Sequence, residues 1–123
     1  MARILIIEDD SDFRKMLNIM LTQAGYETFE AANGVEGLES YNAEQIDLVI
    51  TDIFMPEKEG TQTIMELKEK NPDVKIIAIS GGGTRQKLDY LDWMKEFGAA
   101  KTFEKPFVSK DFLAAIAELL ESD

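Results

Sequence analysis

Five short apolar runs, Ile4 to Ile7, Tyr26 to Ala31, Ile46 to Thr51, Val74 to Ser80 and Ala100 to Phe103, alternate along the chain with longer segments of helical spacing. Ile and Val recur in these runs, and β-branched residues favour strands. Ile4 to Ile7 and Leu48 to Ile50 are continuously apolar rather than alternating, which requires burial on both faces and therefore a parallel sheet with helices on each side. The helical pattern is clearest after the first run, where Phe13, Met16, Leu17, Met20, Leu21 and Ala24 follow one stripe and Gly25 supplies the C-terminal stop. Asp10 or Ser11 is placed to cap its start. The last segment repeats the design: Ser109 is placed to cap a helix burying Phe112, Leu113, Ile116, Leu119 and Leu120. The expected architecture is an α/β, doubly wound domain of five βα units. No Pro-rich or Gly/Ser linker divides residues 1–123, so the expectation is a single domain.

The missing residue types exclude much chemistry. With no His and no Cys, thiolate and imidazole zinc sites, Ser-His-Asp and Cys-His catalysis and a histidine phosphocarrier role all fall away. Carboxylates, Lys and hydroxyls must do the work. Asp and Glu number 24 against 13 Lys and Arg, a formal charge of −11, which repels phosphate backbones and anionic lipid surfaces. The chain is therefore expected to bind no nucleic acid directly, and a cationic partner or divalent metal suits it better. No apolar run approaches the length of a membrane span, and the chain reads as cytoplasmic.

In a doubly wound sheet, ligands bind outside the carboxyl ends of the strands. Here the first strand ends in Glu8, Asp9 and Asp10, the third in Asp52, the fourth in Ser80 and Gly81, and the fifth leads to Lys105 and Pro106. Carboxylates gathered in one crevice repel one another, and such hard oxygen ligands suit Mg²⁺. A divalent-metal site at Glu8, Asp9 and Asp52 is the expectation. A carboxylate beside a metal, with an ammonium, a hydroxyl and main-chain N–H groups nearby, is equipped to accept a phosphoryl group. Asp52, alone at the end of its strand, is the best nucleophile.

These residues in this order resemble the receiver domain of two-component response regulators. The resemblance extends from I-L-I-I-E-D through L-V-I-T-D-I-F-M-P and the Ile79, Ser80 strand end to the closing K-P-F, essentially the whole chain. It implies a flavodoxin-like, CheY-like (βα)5 fold with strand order 2-1-3-4-5. It implies further that Asp52 is the phosphoacceptor, taking the group from a phosphohistidine on a sensor histidine kinase or phosphotransfer protein. Glu8 and Asp9 would hold Mg²⁺ (or Mn²⁺) with Asp52 and the Phe54 main-chain carbonyl. Ser80 and Lys105 would bind phosphoryl oxygens, with Gly81 leaving room beside them and contributing its main-chain N–H. Such a protein turns over no substrate beyond its own phosphorylation and dephosphorylation. It would change conformation to engage a downstream protein through the fourth helix, fifth strand and fifth helix, as a monomer or a phosphorylation-dependent dimer. Two rivals fit less well. A haloacid-dehalogenase-type phosphatase needs Asp-x-Asp after its first strand, and a flavodoxin-like FMN carrier needs a phosphate cradle where Glu8, Asp9 and Asp10 would repel one.

The chain departs from the family at Thr102, where receivers usually carry a Tyr or Phe that turns inward on activation. Phe103 is one residue along, and on a strand that shift points it to the opposite face. The usual aromatic coupling from Ser80 is therefore in question. Gly81, Gly82 and Gly83 lack the Lys and Ser/Thr of a P-loop and read as a loop that moves on activation. Between the fourth and fifth strands, Leu88 and Leu91 form one helical stripe and Tyr90, Trp93 and Phe97 another. Together they exceed one buried face, so the alternatives are a deeply packed helix or an aromatic patch for a partner. Phe54 and Gly82 offer no side-chain group to orient an attacking water, which predicts a long-lived phosphoaspartate. The Glu66 to Lys70 stretch reads as an ordinary solvated helix face.

Overall fold

A computed structural model describes residues 2–52, 60–80, 98–104 and 107–121, except for the side chains of residues 60, 61, 80 and 104. The elements run β1 (Arg3–Ile7), α1 (Ser11–Gln23), β2 (Glu27–Ala31), α2 (Gly34–Ala43), β3 (Leu48–Asp52), α3 (Gly60–Lys70), β4 (Ile76–Ser80), β5 (Lys101–Glu104) and α4 (Ser109–Glu121). All strand pairs are parallel, in the order β2-β1-β3-β4-β5. The doubly wound fold expected from the alternating runs, in the flavodoxin-like strand order that the resemblance implies, is thus the fold adopted. The fourth helix of the sequence reading, with Tyr90, Trp93 and Phe97, falls outside the described residues.

Strand residues alternate between two cores. On one face Ile4, Ile6, Leu48, Ile50, Ile77 and Ile79 pack with Leu17 and Leu21 of α1 and Phe112 and Ile116 of α4. On the other, Leu5, Ile7, Val49, Ile76 and Ala78 pack with Ile64 and Leu67 of α3 and, less deeply, Leu38 and Tyr41 of α2. Burial of both faces is why the central strands read as unbroken apolar runs.

The helix ends show local chemistry at work. Asp10 caps α1, its Oδ1 accepting from the main-chain N–H groups of Asp12 and Phe13 at 3.0 and 3.2 Å. At the other end Gly25 has φ +98°, with Gly25 N–H donating to Thr22 and Tyr26 N–H to Leu21, the paired bonds of a Schellman stop. Asn33 caps α2 through Glu36 N–H, and Glu36 accepts in return from Ala32 N–H. The α1 stripe is narrower than its spacing implied: Leu17 and Leu21 are buried, whereas Met16 and Ala24 at its margins are exposed. A helix resting on a twisted sheet makes contact along one line, and residues to either side of it remain in water. The helix α4 includes Ser109 as its first residue, and its first described backbone bond runs from Phe112 N–H to the Val108 carbonyl, one residue earlier than the expected cap. Lys68 also departs from the solvated-face reading. Its Nζ donates to the Val74 and Pro72 carbonyls at 3.1 and 3.3 Å, and its stem lies against Gly98, which has φ +127°.

Candidate metal and phosphoacceptor site

Sheet register assembles the site. β1 and β3 are neighbours with Ile7 opposite Thr51, so the next residues, Glu8 and Asp52, emerge side by side at the carboxyl edge. This is also where the strand order reverses, with β2 and β3 on opposite sides of β1, the usual place for a crevice. Carboxylate oxygens of Glu8, Asp9 and Asp52 all lie within 4.8 Å of one another. Glu8 is 1% and Asp52 4% exposed, whereas Asp9 faces solvent. Two buried carboxylates and an exposed third in such proximity concentrate negative charge in a place of reduced dielectric, which a cation would relieve. The donor set is all hard oxygen, the set Mg²⁺ accepts while keeping several of its waters. The three acids therefore fit a divalent cation of that kind.

The main chain around Glu8 is firmly held. Its N–H donates to the Ala31 carbonyl of β2 at 3.0 Å, its Oε2 accepts from Asp10 N–H at 3.0 Å, and its own carbonyl accepts from Arg14 Nη1 at 2.7 Å. Arg14 Nε in turn donates to Glu30 Oε1 at 3.1 Å, and Asn18 Nδ2 donates to the other Glu30 oxygen at 2.7 Å. Nothing in the apolar pattern singles out Arg14 or Glu30. The available signal was the polar row Arg14, Asn18 and Thr22 at helical spacing beside the apolar stripe, facing Glu30 and Thr28 on one side of β2.

Ser80 closes β4 opposite Glu104, which places its main chain at the same carboxyl edge as Asp52. Phe54, Gly81 and Lys105 lie outside the described residues. Thr102 pairs with Ala78 and so belongs to the α2/α3 face, while Phe103 pairs with Ile79 and turns to the α1/α4 face. There Phe103 joins an aromatic cluster, its ring centroid 5.7 Å from Phe107 and 5.1 Å from Phe112, with Phe107 stacked on Phe112 at 4.4 Å and edge-on to Phe13 at 5.9 Å.

Residues 4–117 match the family model of the response regulator receiver domain. The chain belongs to that family, the receiver domains of two-component response regulators, which are signalling switches. Sporulation initiation phosphotransferase F of Bacillus subtilis is 32% identical over 118 residues, covering 96% of this chain and 93% of that protein. The response regulator receiver protein CpdR of Brucella abortus is 35% identical over 120 residues, 98% of each chain. Among solved structures, response regulator protein TrrA of Thermotoga maritima, in complex with Mg²⁺-BeF, superposes with a TM-score of 0.83 at 31% identity, covering 97% of this chain and 99% of that one. No helix among the described residues is long and apolar enough to cross a membrane.

Proposed function

We propose that the protein is a phosphorylation-dependent switch, a single receiver domain that accepts a phosphoryl group on Asp52 from the phosphohistidine of a sensor histidine kinase or phosphotransfer protein. The observation that carries this reading is the cluster of Glu8, Asp9 and Asp52 carboxylates within 4.8 Å at the β1/β3 crevice. A carboxylate oxygen of Asp52 attacks phosphorus, the bond from phosphorus to the imidazole nitrogen breaks, and the imidazole leaves with its electron pair. Glu8, Asp9 and Asp52, with the Phe54 carbonyl, would hold Mg²⁺ or Mn²⁺, which when bound supplies positive charge for the phosphoryl oxygens. In this reading Ser80, Lys105 and the Gly81 N–H bind the remaining oxygens. The phosphorylated conformer is selected because it binds the modified Asp52 better, and it acts by contact with a downstream protein.

The output face would combine Thr102 on β5, α4, and the segment carrying Tyr90, Trp93 and Phe97, working in the cytoplasm as a monomer or a phosphorylation-dependent dimer. A second reading, an intermediate that passes its phosphoryl group to another carrier, is favoured by likeness to a protein named a phosphotransferase. Intact mass after incubation with acetyl phosphate and Mg²⁺ tests the core of the proposal. One Mg²⁺-dependent phosphoryl adduct is expected in the natural protein and none in Asp52→Asn; an adduct that persists in the variant refutes the assignment. Following the adduct over time tests the expected long lifetime, and its rapid loss to a purified histidine phosphotransfer protein would favour the relay reading.

A further inference from the structure

Arg14 of α1 reaches the acidic loop through the loop's main chain, at the Glu8 carbonyl. Its guanidinium is a fork with one tine on the Glu8 carbonyl and the other on Glu30 of β2, and its side chain is 20% exposed. The carbonyl it holds belongs to the peptide joining Glu8 to Asp9. Because a peptide is planar, fixing that oxygen fixes the plane and hence the direction in which the Asp9 Cα leaves it. The preceding peptide is fixed as well, through Glu8 N–H on Ala31. Both tethers end on consecutive residues of β2, Glu30 and Ala31, so the loop is braced against the sheet rather than against itself. Asp9 needs such bracing more than its neighbours. It is exposed, and among the described residues no hydrogen bond orients its carboxylate, whereas Glu8 is packed away from solvent and accepts from Asp10 N–H.

We propose that Arg14 is a positioning residue for the cation site, acting through the Glu8–Asp9 peptide to hold the Asp9 carboxylate beside Glu8 and Asp52. This rests on the reading of those three acids as a Mg²⁺ site. It makes a prediction opposite in sign to simple electrostatics. Arg14 is a positive charge near three carboxylates, so deleting it should tighten Mg²⁺ binding if charge alone mattered. Loss of the tether should weaken it.

The test is Mg²⁺ affinity by titration calorimetry on the natural protein, Arg14→Ala and Arg14→Lys, with folding checked by circular dichroism. It is paired with the NMR order parameter of the Asp9 amide in metal-free protein. Arg14→Ala should bind Mg²⁺ about tenfold more weakly, in line with the loss of groups that orient metal ligands. Arg14→Lys keeps the charge but cannot span both acceptors, so it should fall between the two. The Asp9 order parameter should drop in both variants while that of Leu113 in α4 stays level. Affinity that is unchanged or tighter in folded Arg14→Ala, or an unaltered Asp9 order parameter, overturns the proposal. Should Arg14→Ala not fold, natural affinity in Arg14→Lys overturns it equally. If the natural protein binds no Mg²⁺, the metal reading itself fails and takes this inference with it.

Discussion

The two rims of the sheet handle charge in contrary ways. At the amino rim, Arg3 pairs with Glu27 at 3.2 Å, Lys101 of β5 pairs with Glu118 at 3.2 Å, and the Asp47 carboxylate accepts Arg3 N–H at 2.8 Å while Arg3 O accepts Asp47 N–H at the same distance. Arg3 and Lys101 each meet an acid there, in contact with water. At the carboxyl rim three acids crowd together, two of them buried. The amino rim does hold a cleft of about 510 Å³ lined by Asp47, Asp73 and Lys75, yet the described residues gather no ligating cluster in it. What sets the carboxyl rim apart is unbalanced charge placed at a strand-order reversal, not the presence of a hollow.

Predictions follow from disturbing one rim and sparing the other. The largest effect is expected just beneath the acids, where α2 crosses β1. A Cβ on Gly37 would collide with Ile7 Cδ1 and sit 2.8 Å from Ile7 Cγ1, and Ile7 is fully buried. Gly37→Val should cost about 1–3 kcal/mol in urea unfolding, because the helix must lift from the strand that carries Glu8. Next, Mg²⁺ at ten times its dissociation constant should raise stability by about 1.4 kcal/mol, read as a thermal shift of roughly 5 °C. An equal shift in Asp52→Asn would place the cation elsewhere. Glu8→Gln keeps an oxygen for Asp10 N–H but removes one repelling charge. It should stabilise the metal-free protein by roughly 1 kcal/mol while weakening Mg²⁺ binding, so the two measurements move in opposite directions. Smallest of all, Lys101→Ala at the amino rim should change stability by no more than about 0.5 kcal/mol, since its pair with Glu118 is solvated.

The elements and the identity of the acids were legible in the chain because each depends on local pattern. Continuous apolar runs announced buried parallel strands, Gly25 announced a helix end, and the acids at run ends announced the acidic cluster at the carboxyl rim. Strand order was imported by resemblance, since alternation of runs does not say which strands are neighbours. The position of Met16 in water, the burial of the Lys68 stem over Gly98 and the four-phenylalanine cluster around Phe107 were not legible. Each depends on which face of a neighbouring element lies across from it.

The sequence by itself determined the five apolar runs, the helical stripes between them and the supply of carboxylates without His or Cys, because periodicity and residue chemistry are properties of the chain. Only the tertiary structure decided that Glu8 stands beside Asp52, through the Ile7 to Thr51 register, and that Phe103 and Thr102 look to opposite faces. It also decided that Arg14, unremarkable in its own helix, reaches across to the carbonyl before Asp9. These relations join residues far apart in sequence or lying on different elements, and parallel strands acquire a register only when the helices packed on both faces hold the sheet together.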